Sequence, residues 1–330
     1  MSAFDIVTFG SATVDIHVQT RESDVSELCS DNHCEPVLAY KPGDKVLLDA
    51  VHTEIGGGGT NTAACLKRLG RTVGYCGAVG EDAHGEDIIS WLAENDISFL
   101  GTRVSQPSNL SIILDSLKLQ DRTILAYKGS SDSLRFSELH IDRLRATWWY
   151  FSSLLGEAHK TMLSLMRYAR TEGIAIAFNP SSYQVSLGRE HLQEAIQLSQ
   201  FFICNKEEAE TLVGPGTVFE LARRIRSYGG EIVVVTDGSN GAVMLYANTL
   251  YHVPSCAKNI VETTGAGDCF SSTILYGLMK GYSPADSLVL AAINAEHMIT
   301  IVGAKNGLLT EEELSKKHSL DTRKVYQEQF

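Results

Sequence analysis

Glu262-Thr263-Thr264-Gly265-Ala266-Gly267-Asp268 runs straight into an apolar-rich stretch, Cys269 to Lys280. Two glycines let the backbone turn tightly and come close to a ligand. Behind them Phe270, Ile274, Leu275, Leu278 and Met279 recur at three- and four-residue intervals, which predicts a helix over Ala266–Lys280. The glycines then sit at a helix N-terminus, where unpaired N–H groups and the dipole attract an anion. Asp268 falls in the first turn, placed to take a proton from a hydroxyl attacking phosphorus. The same residues also suit a plain loop whose Asp complements the dipole. A second motif bears on the choice.

Ile55-Gly56-Gly57-Gly58-Gly59-Thr60-Asn61 leads into a helical pattern over Thr60–Leu69, with Thr60 or Asn61 as N-cap and Gly70 as terminator. Four consecutive glycines are conformationally costly unless something must approach the backbone. A polyol fits, because backbone groups and the Asn61 amide can bond its hydroxyls. A flexible linker is the other reading, although linkers rarely run at once into a helix.

Gly56–Gly70 and Val261–Gly277 resemble the first and second signatures of the ribokinase-like (PfkB) family of carbohydrate and nucleoside kinases, and Asn205-Lys206-Glu207-Glu208 is similar to its Asn-x-x-Glu motif. The motifs occur in the expected order, and the resemblance spans essentially the whole chain. It implies an α/β fold: a three-layer α/β/α sandwich with a mostly parallel central sheet and a small β-sheet lid. One kinase domain would cover residues 1–330, with the lid drawn from residues 13–54 and 109–127. Such lids often pair two chains, so a homodimer is expected.

The resemblance also implies roles. Asp268 is the base on the acceptor hydroxyl, and the N–H groups of Gly265, Ala266, Gly267 and Asp268 form the anion hole. Thr13 and Asp15 bind sugar hydroxyls together with Gly57, Gly58, Gly59, Thr60 and Asn61. Glu208 holds magnesium through water, and Asn205 orients a phosphate oxygen or a metal-bound water; both residues equally fit a capping box at a helix start. Thr236, Gly238 and Gly241 contact ATP. No Gly-x4-Gly-Lys-Ser/Thr loop occurs, so the Gly265–Asp268 turn must do the phosphate work.

Three departures from the family pattern narrow the acceptor. The second signature usually opens with Asp where this chain has Glu262, in a region that helps hold a monovalent cation, so potassium activation stays open. Ser152, Ser153 and Leu154 stand where ribokinases place a ribose-gripping glutamate. Gly58 stands where phosphofructokinase members carry a Lys for the sugar phosphate. A neutral acceptor, sugar or nucleoside, is expected.

Composition sets outer bounds. The 330 residues are 44% hydrophobic, enough for a core. A formal charge of −12 argues against sequence-independent nucleic-acid binding. No run of about 18 apolar residues predicts a membrane span, and no secretion signal opens the chain. Seven scattered cysteines predict reduced thiols in a cytoplasmic protein, Cys29 and Cys34 included. No His-x-x-x-His pattern suggests catalytic zinc. Lys128 and Arg135 read as solvated surface charges.

Strands are predicted at Asp5–Gly10, Val73–Gly80, Trp148–Ser152, Ile174–Asn179, Phe201–Asn205, Ile232–Thr236 and Ala242–Tyr246. Helices are predicted at Gly85–Asn95, Ala158–Glu172, Arg189–Ser199, Lys206–Val213, Val218–Tyr228 and Pro284–Ile301, besides the two above. Thr13–Glu54 reads as irregular, with strand-like pieces at Asp15–Gln19 and Val46–Val51. Asn109–Tyr127 reads as a hairpin turning at Lys118–Asp121. Two other classes stay open. A nicotinamide-dependent dehydrogenase lacks its Gly-x-Gly-x-x-Gly after the first strand. A non-catalytic sugar-binding protein would have little reason to keep both Asp268 and Glu208.

Overall fold

The computed structural model describes residues 3–20, 24–30, 33–116 and 121–329. In Phe201–Asn205 and Ile232–Thr236, successive apolar side chains are buried on opposite faces. Phe201, Ile203, Ile232 and Val234 join one core, while Phe202, Cys204, Val233 and Val235 join the other. A strand covered on both faces carries a continuous apolar run, as these sequences do.

These strands belong to a ten-stranded sheet. Its order is Ser98–Phe99, Val73–Cys76, Phe4–Phe9, Ala146–Phe151, Ala175–Phe178, Phe201–Asn205, Ile232–Thr236, Ala242–Tyr246, Thr249–Val253 and Tyr326–Gln329. Pairing is parallel as far as Ile232–Thr236 and antiparallel beyond. Helices Gly58–Arg68, Ala83–Glu94, Ala266–Met279 and Pro284–Met298 cover one face; Gly156–Thr171, Arg189–Leu198, Lys206–Val213 and Val218–Arg226 cover the other. The expected α/β/α layering is present.

A separate four-stranded sheet is ordered Asp121–Tyr127, Asn109–Ser116, Thr13–Thr20 and Ala50–Gly56. Thr13–Glu54 is therefore not irregular throughout, although residues 40–49 carry no strand. It also holds the antiparallel pair Asp24–Ser30 and His33–Ala39, and the predicted Val46–Val51 piece is strand only from Ala50. Mixed polarity hid these strands. The predicted turn at Lys118–Asp121 falls mostly on residues outside the described set.

Other differences have local causes. Val73–Gly80 breaks at Gly77, and Ala78–Gly80 pairs with Thr102–Val104 instead of extending the main sheet. Tyr326–Gln329 is exposed along its length and offers no apolar signal. Helix Glu311–Leu320 buries only Leu314, so its period is weak, although Thr310 and Glu313 form a capping box. Cys34 is disulfide-bonded, contrary to the expectation of reduced thiols, and the hairpin register sets Cys29 opposite it. Cys65, Cys76, Cys204, Cys256 and Cys269 are free.

Candidate active site

Three elements bring their polar residues to one cleft of about 320 Å³. Asp15 comes from strand Thr13–Thr20, Asn61 from the first turn of helix Gly58–Arg68, and Asp268 from the first turn of helix Ala266–Met279. The Asn61 amide donates to Asp268 Oδ2 at 2.9 Å. Thr13, Gly57 and Gly58 line the same cleft.

The glycine run has a more specific cause than ligand approach. A Cβ on Gly56 would lie 1.7 Å from Asp15 Oδ2, and one on Gly57 would lie 2.5 Å from the Ser11 carbonyl. Gly57 also has φ 98°, a left-handed value that favours glycine. On Gly59 a Cβ would meet Tyr75 at 2.8 Å and Gly10 backbone at 2.9 Å. These glycines let the turn pack against the first strand and Asp15. Gly58 lines the cleft beside Gly57, with Ser152 Oγ 2.9 Å and Asp268 Oδ1 3.6 Å from its absent Cβ. Gly57, not Thr60 or Asn61, is the N-cap; Gly70, with φ 75°, follows the helix end as expected. Thr60 is fully buried and donates to the Gly56 and Gly57 carbonyls, so its hydroxyl staples the loop. Neither Gly59 nor Thr60 lines the cleft.

A second cavity, of about 250 Å³, lies beyond the N-terminus of helix Ala266–Met279. Thr236, Gly238 and Gly241 line it, and Val253, Ala257, Ile260, Phe270, Ala292 and Ile299 give it apolar walls. The helix start borders both spaces. Thr264, Gly265 and Asp268 face the polar cleft, while Thr263, Ala266 and Gly267 face the apolar one. Gly265 takes a left-handed N-cap conformation, φ 76°, and a Cβ there would strike Ala304 at 2.8 Å. The Ala266 N–H already donates to Thr263 O, which removes it from the expected anion hole. The bond from Cys269 N–H to Gly265 O closes the first turn, so the N–H groups of Gly267 and Asp268 have no earlier helical carbonyl to reach.

Electrostatics at the cleft are set by burial. Burial lifts Asp268 to about 6, against opposition from the Asn61 amide and the Lys305 charge. Burial also raises Asp15, which Ser111 and Lys305 partly offset. Burial opposes ionisation of Glu54 too, but His17 and the Ala304 N–H hold it below its ordinary value. Lys305 is lowered to about 8 by burial, although Glu54, Asp15 and Asp268 all favour its charge.

Asn205 and Glu208 line neither cavity. They form a full capping box: Asn205 Oδ1 accepts from Glu208 N–H at 2.8 Å, and Glu208 Oε2 accepts from Asn205 N–H at 3.1 Å. Ser182 donates to Glu208 Oε1. Burial raises the Glu208 pKa, and the Asp268 charge raises it further. Glu208 is thus a buried carboxylate short of positive charge, within electrostatic reach of Asp268.

The model of the pfkB family of carbohydrate kinases matches residues 6–311. The chain belongs to the pfkB family. It is 28% identical to a ribokinase of Lactococcus lactis over 257 residues, 77% of this chain and 82% of that one. It is 30% identical to the ribokinase of Mus musculus over 246 residues, 71% of this chain and 73% of that one. The structure of Arabidopsis thaliana ribokinase complexed with ribose and ATP superposes with a TM-score of 0.79 at 20% identity, covering 96% of this chain and 99% of that chain. The protein is an ATP-dependent kinase of the carbohydrate or nucleoside type.

The cleft also contains residues that the sequence did not mark as site residues. Lys128 is exposed, as expected of a surface charge, but it also lines the cleft, with Asp132 nearby to balance its charge. Arg135 does pair outward, with Glu157 at 3.7 Å. Ser111 and Ser152 line the cleft as well. Lys305, which lines neither cavity but whose charge acts on Asp15 and Asp268, was missed altogether; its one signal is a lysine between Gly303 and Gly307 just past a long helix.

Proposed function

We propose that this pfkB kinase transfers the γ-phosphoryl group of ATP to a primary hydroxyl of a non-phosphorylated sugar or nucleoside, with Asp268 as general base. One observation carries the reading: a single helix start borders both the polar cleft and the apolar cavity. An acceptor on one side and a nucleotide on the other would meet there. Thr236, Gly238 and Gly241 suit the nucleotide, and Thr13, Asp15, Gly57, Gly58 and Asn61 suit the acceptor. Asn61 Oδ1 is buried with no partner, so a substrate hydroxyl can donate to it. Asp268 Oδ2 is held by Asn61, leaving Oδ1 toward Gly58 to receive the acceptor proton. The N–H groups of Gly267 and Asp268, with Gly265, would stabilise charge on the transferred group.

A neutral acceptor is supported by Gly58, which places no cationic side chain of its own at the cleft, and by Asp132, which offsets Lys128. Glu208 fits magnesium held through water. It is a lone buried carboxylate, and no cluster of three or more metal-ligating side chains exists among the described residues. That arrangement suits an ion that keeps most of its waters. Magnesium would neutralise phosphate charge; Asn205 would fix the orientation of Glu208 through their shared cap. For potassium, Glu262 offers one buried oxygen without a partner, the other accepting from Gly303 N–H at 2.8 Å.

The chain is proposed to act as one kinase domain over residues 1–330, with segments 13–54 and 109–127 as the lid. Lid closure would exclude water, a competing acceptor. Val51, Ile124, Leu125 and Tyr127 are exposed on the lid sheet, and pairing two chains through it would cover them. A cytoplasmic setting would supply the ATP.

A phosphotransfer screen over free sugars and nucleosides with Mg-ATP, with and without potassium, tests this reading. The expected result is one preferred acceptor carrying a new primary phosphate ester. Binding without transfer to any acceptor would leave a sugar-binding protein on this fold.

A further inference from the structure

Lys305 lies in none of the signature motifs, yet its loop touches the start of the second signature, the lid strand and the residue before the glycine run. Gly303 N–H donates to Glu262 Oε2 at 2.8 Å, just upstream of the Gly265–Asp268 turn. Ala304 N–H donates to Glu54 Oε1 at 3.3 Å on the lid strand Ala50–Gly56. Ala304 also backs Gly265, the N-cap of the helix that carries Asp268. The Lys305 ammonium donates to the Ile55 carbonyl, next to the glycine run, and sits 5.0 Å from the centre of the Trp91 ring.

The charges around that ammonium come from three elements. Asp15, and His17 beside Glu54, stand on the strand Thr13–Thr20. Glu54 stands on the neighbouring lid strand, and Asp268 on the helix. Lys305 is the positive group acting on Asp15, Glu54 and Asp268 together. Asp268 also faces Asn61, and its charge bears on Cys65, Cys269, Tyr150 and Glu208, none of which is cationic. Carboxylates that share a half-dry site oppose one another's ionisation unless a cation stands among them.

We propose that Lys305 is a positioning residue of this kinase: tied to the Ile55 carbonyl, its ammonium balances the carboxylates of Asp15 and Asp268 and fixes the lid strand to the turn that carries the base. This inference deepens the reading of Asp268 as base and rests on it. Asp15 must be ionised to accept two hydroxyl protons from the acceptor, and Asp268 must be ionised to take one. Both demands are met by one lysine that touches no substrate.

The test is a pH series of kcat and KM for Lys305→Gln, Lys305→Arg and Glu54→Gln beside the parent enzyme. Gln keeps a donor for the Ile55 carbonyl and loses the charge; Arg keeps the charge. For Lys305→Gln the acid limb of kcat/KM should move up by about one pH unit, the acceptor KM should rise about tenfold, and the ATP KM should hold within about twofold. Lys305→Arg should keep the limb in place. Glu54→Gln, which removes a negative neighbour of Asp15, should lower the acceptor KM; it also reads the same charge balance if Lys305→Gln does not fold. A parent-like limb and acceptor KM in Lys305→Gln would overturn the proposal. So would equal damage from Gln and Arg with the limb unmoved, since that marks a tether only, and so would an unchanged acceptor KM in Glu54→Gln. Asp268→Asn runs as the control: if it retained turnover, the base assignment would fail separately, and the acceptor KM values would still judge Lys305 through Asp15.

Discussion

The side-chain amide of Asn61 donates to Asp268 Oδ2 over 2.9 Å, joining residues 207 positions apart. Each comes from the first turn of a helix that follows a glycine turn. The bond orients the Asp268 carboxylate, so that its Oδ1 lies toward Gly58 and the polar cleft.

Replacing Asp268 by Asn keeps the size of the side chain and removes the proposed base. Turnover should fall about 10²–10⁴-fold while ATP affinity is preserved. Steady-state kinetics combined with nucleotide titration checks both halves. Near-normal turnover would remove Asp268 from the reaction.

The pKa of about 6 gives two opposite pH trends. As the proposed base Asp268 must be ionised, so kcat/KM should drop as pH falls through about 6. Stability runs the other way. The folded pKa lies above the ordinary 3.8, so this group's contribution is complete at low pH and lost as pH rises through about 6. Near neutral pH, Asp268→Asn should therefore stabilise the fold by about 1–3 kcal/mol. Thermal melts of the two proteins across pH decide this, and a destabilised variant would contradict it.

Gly58 and Gly59 should part company when each is changed to Ala. At Gly59 the new methyl meets Tyr75 and the Gly10 backbone, a clash worth about 1–3 kcal/mol of stability. At Gly58 it crowds Ser152 and the space before Asp268, so acceptor KM should rise with the smaller change in Tm. Kinetics and melting curves on both variants separate packing from binding.

Glu208→Gln retains an oxygen for the Asn205 cap and removes a carboxylate whose ionisation burial opposes. Stability should hold within about 1 kcal/mol or improve. Turnover should fall, and the magnesium concentration for half-maximal rate should rise. An unchanged magnesium titration would leave Glu208 as a helix cap alone.

Much of the fold was legible because burial on both faces writes itself as uninterrupted apolar strands; Phe201–Asn205, Ile232–Thr236 and Ala242–Tyr246 were read to the residue. The lid strands were less visible, since Thr13–Thr20 carries Asp15 and His17 among its apolar residues. In the site, Asp268 and Asn61 announce themselves by standing at glycine turns. Lys305 and Ser111 do not, because their positions come from how separate segments pack. The purpose of Gly56 and Gly59 was also hidden: only coordinates reveal the side chains that fill the room they leave.

The helix start at Gly265–Asp268 meets the apolar cavity, the proposed nucleotide side, through Gly267 and the polar cleft, the proposed acceptor side, through Asp268, within one turn of backbone. The cleft's far wall is built from different segments, at Thr13, Asp15, Ser111 and Lys128. Substitutions there can retune which alcohol is admitted while the transfer geometry stays untouched. Such a division of labour lets one scaffold diversify its diet without relearning its chemistry.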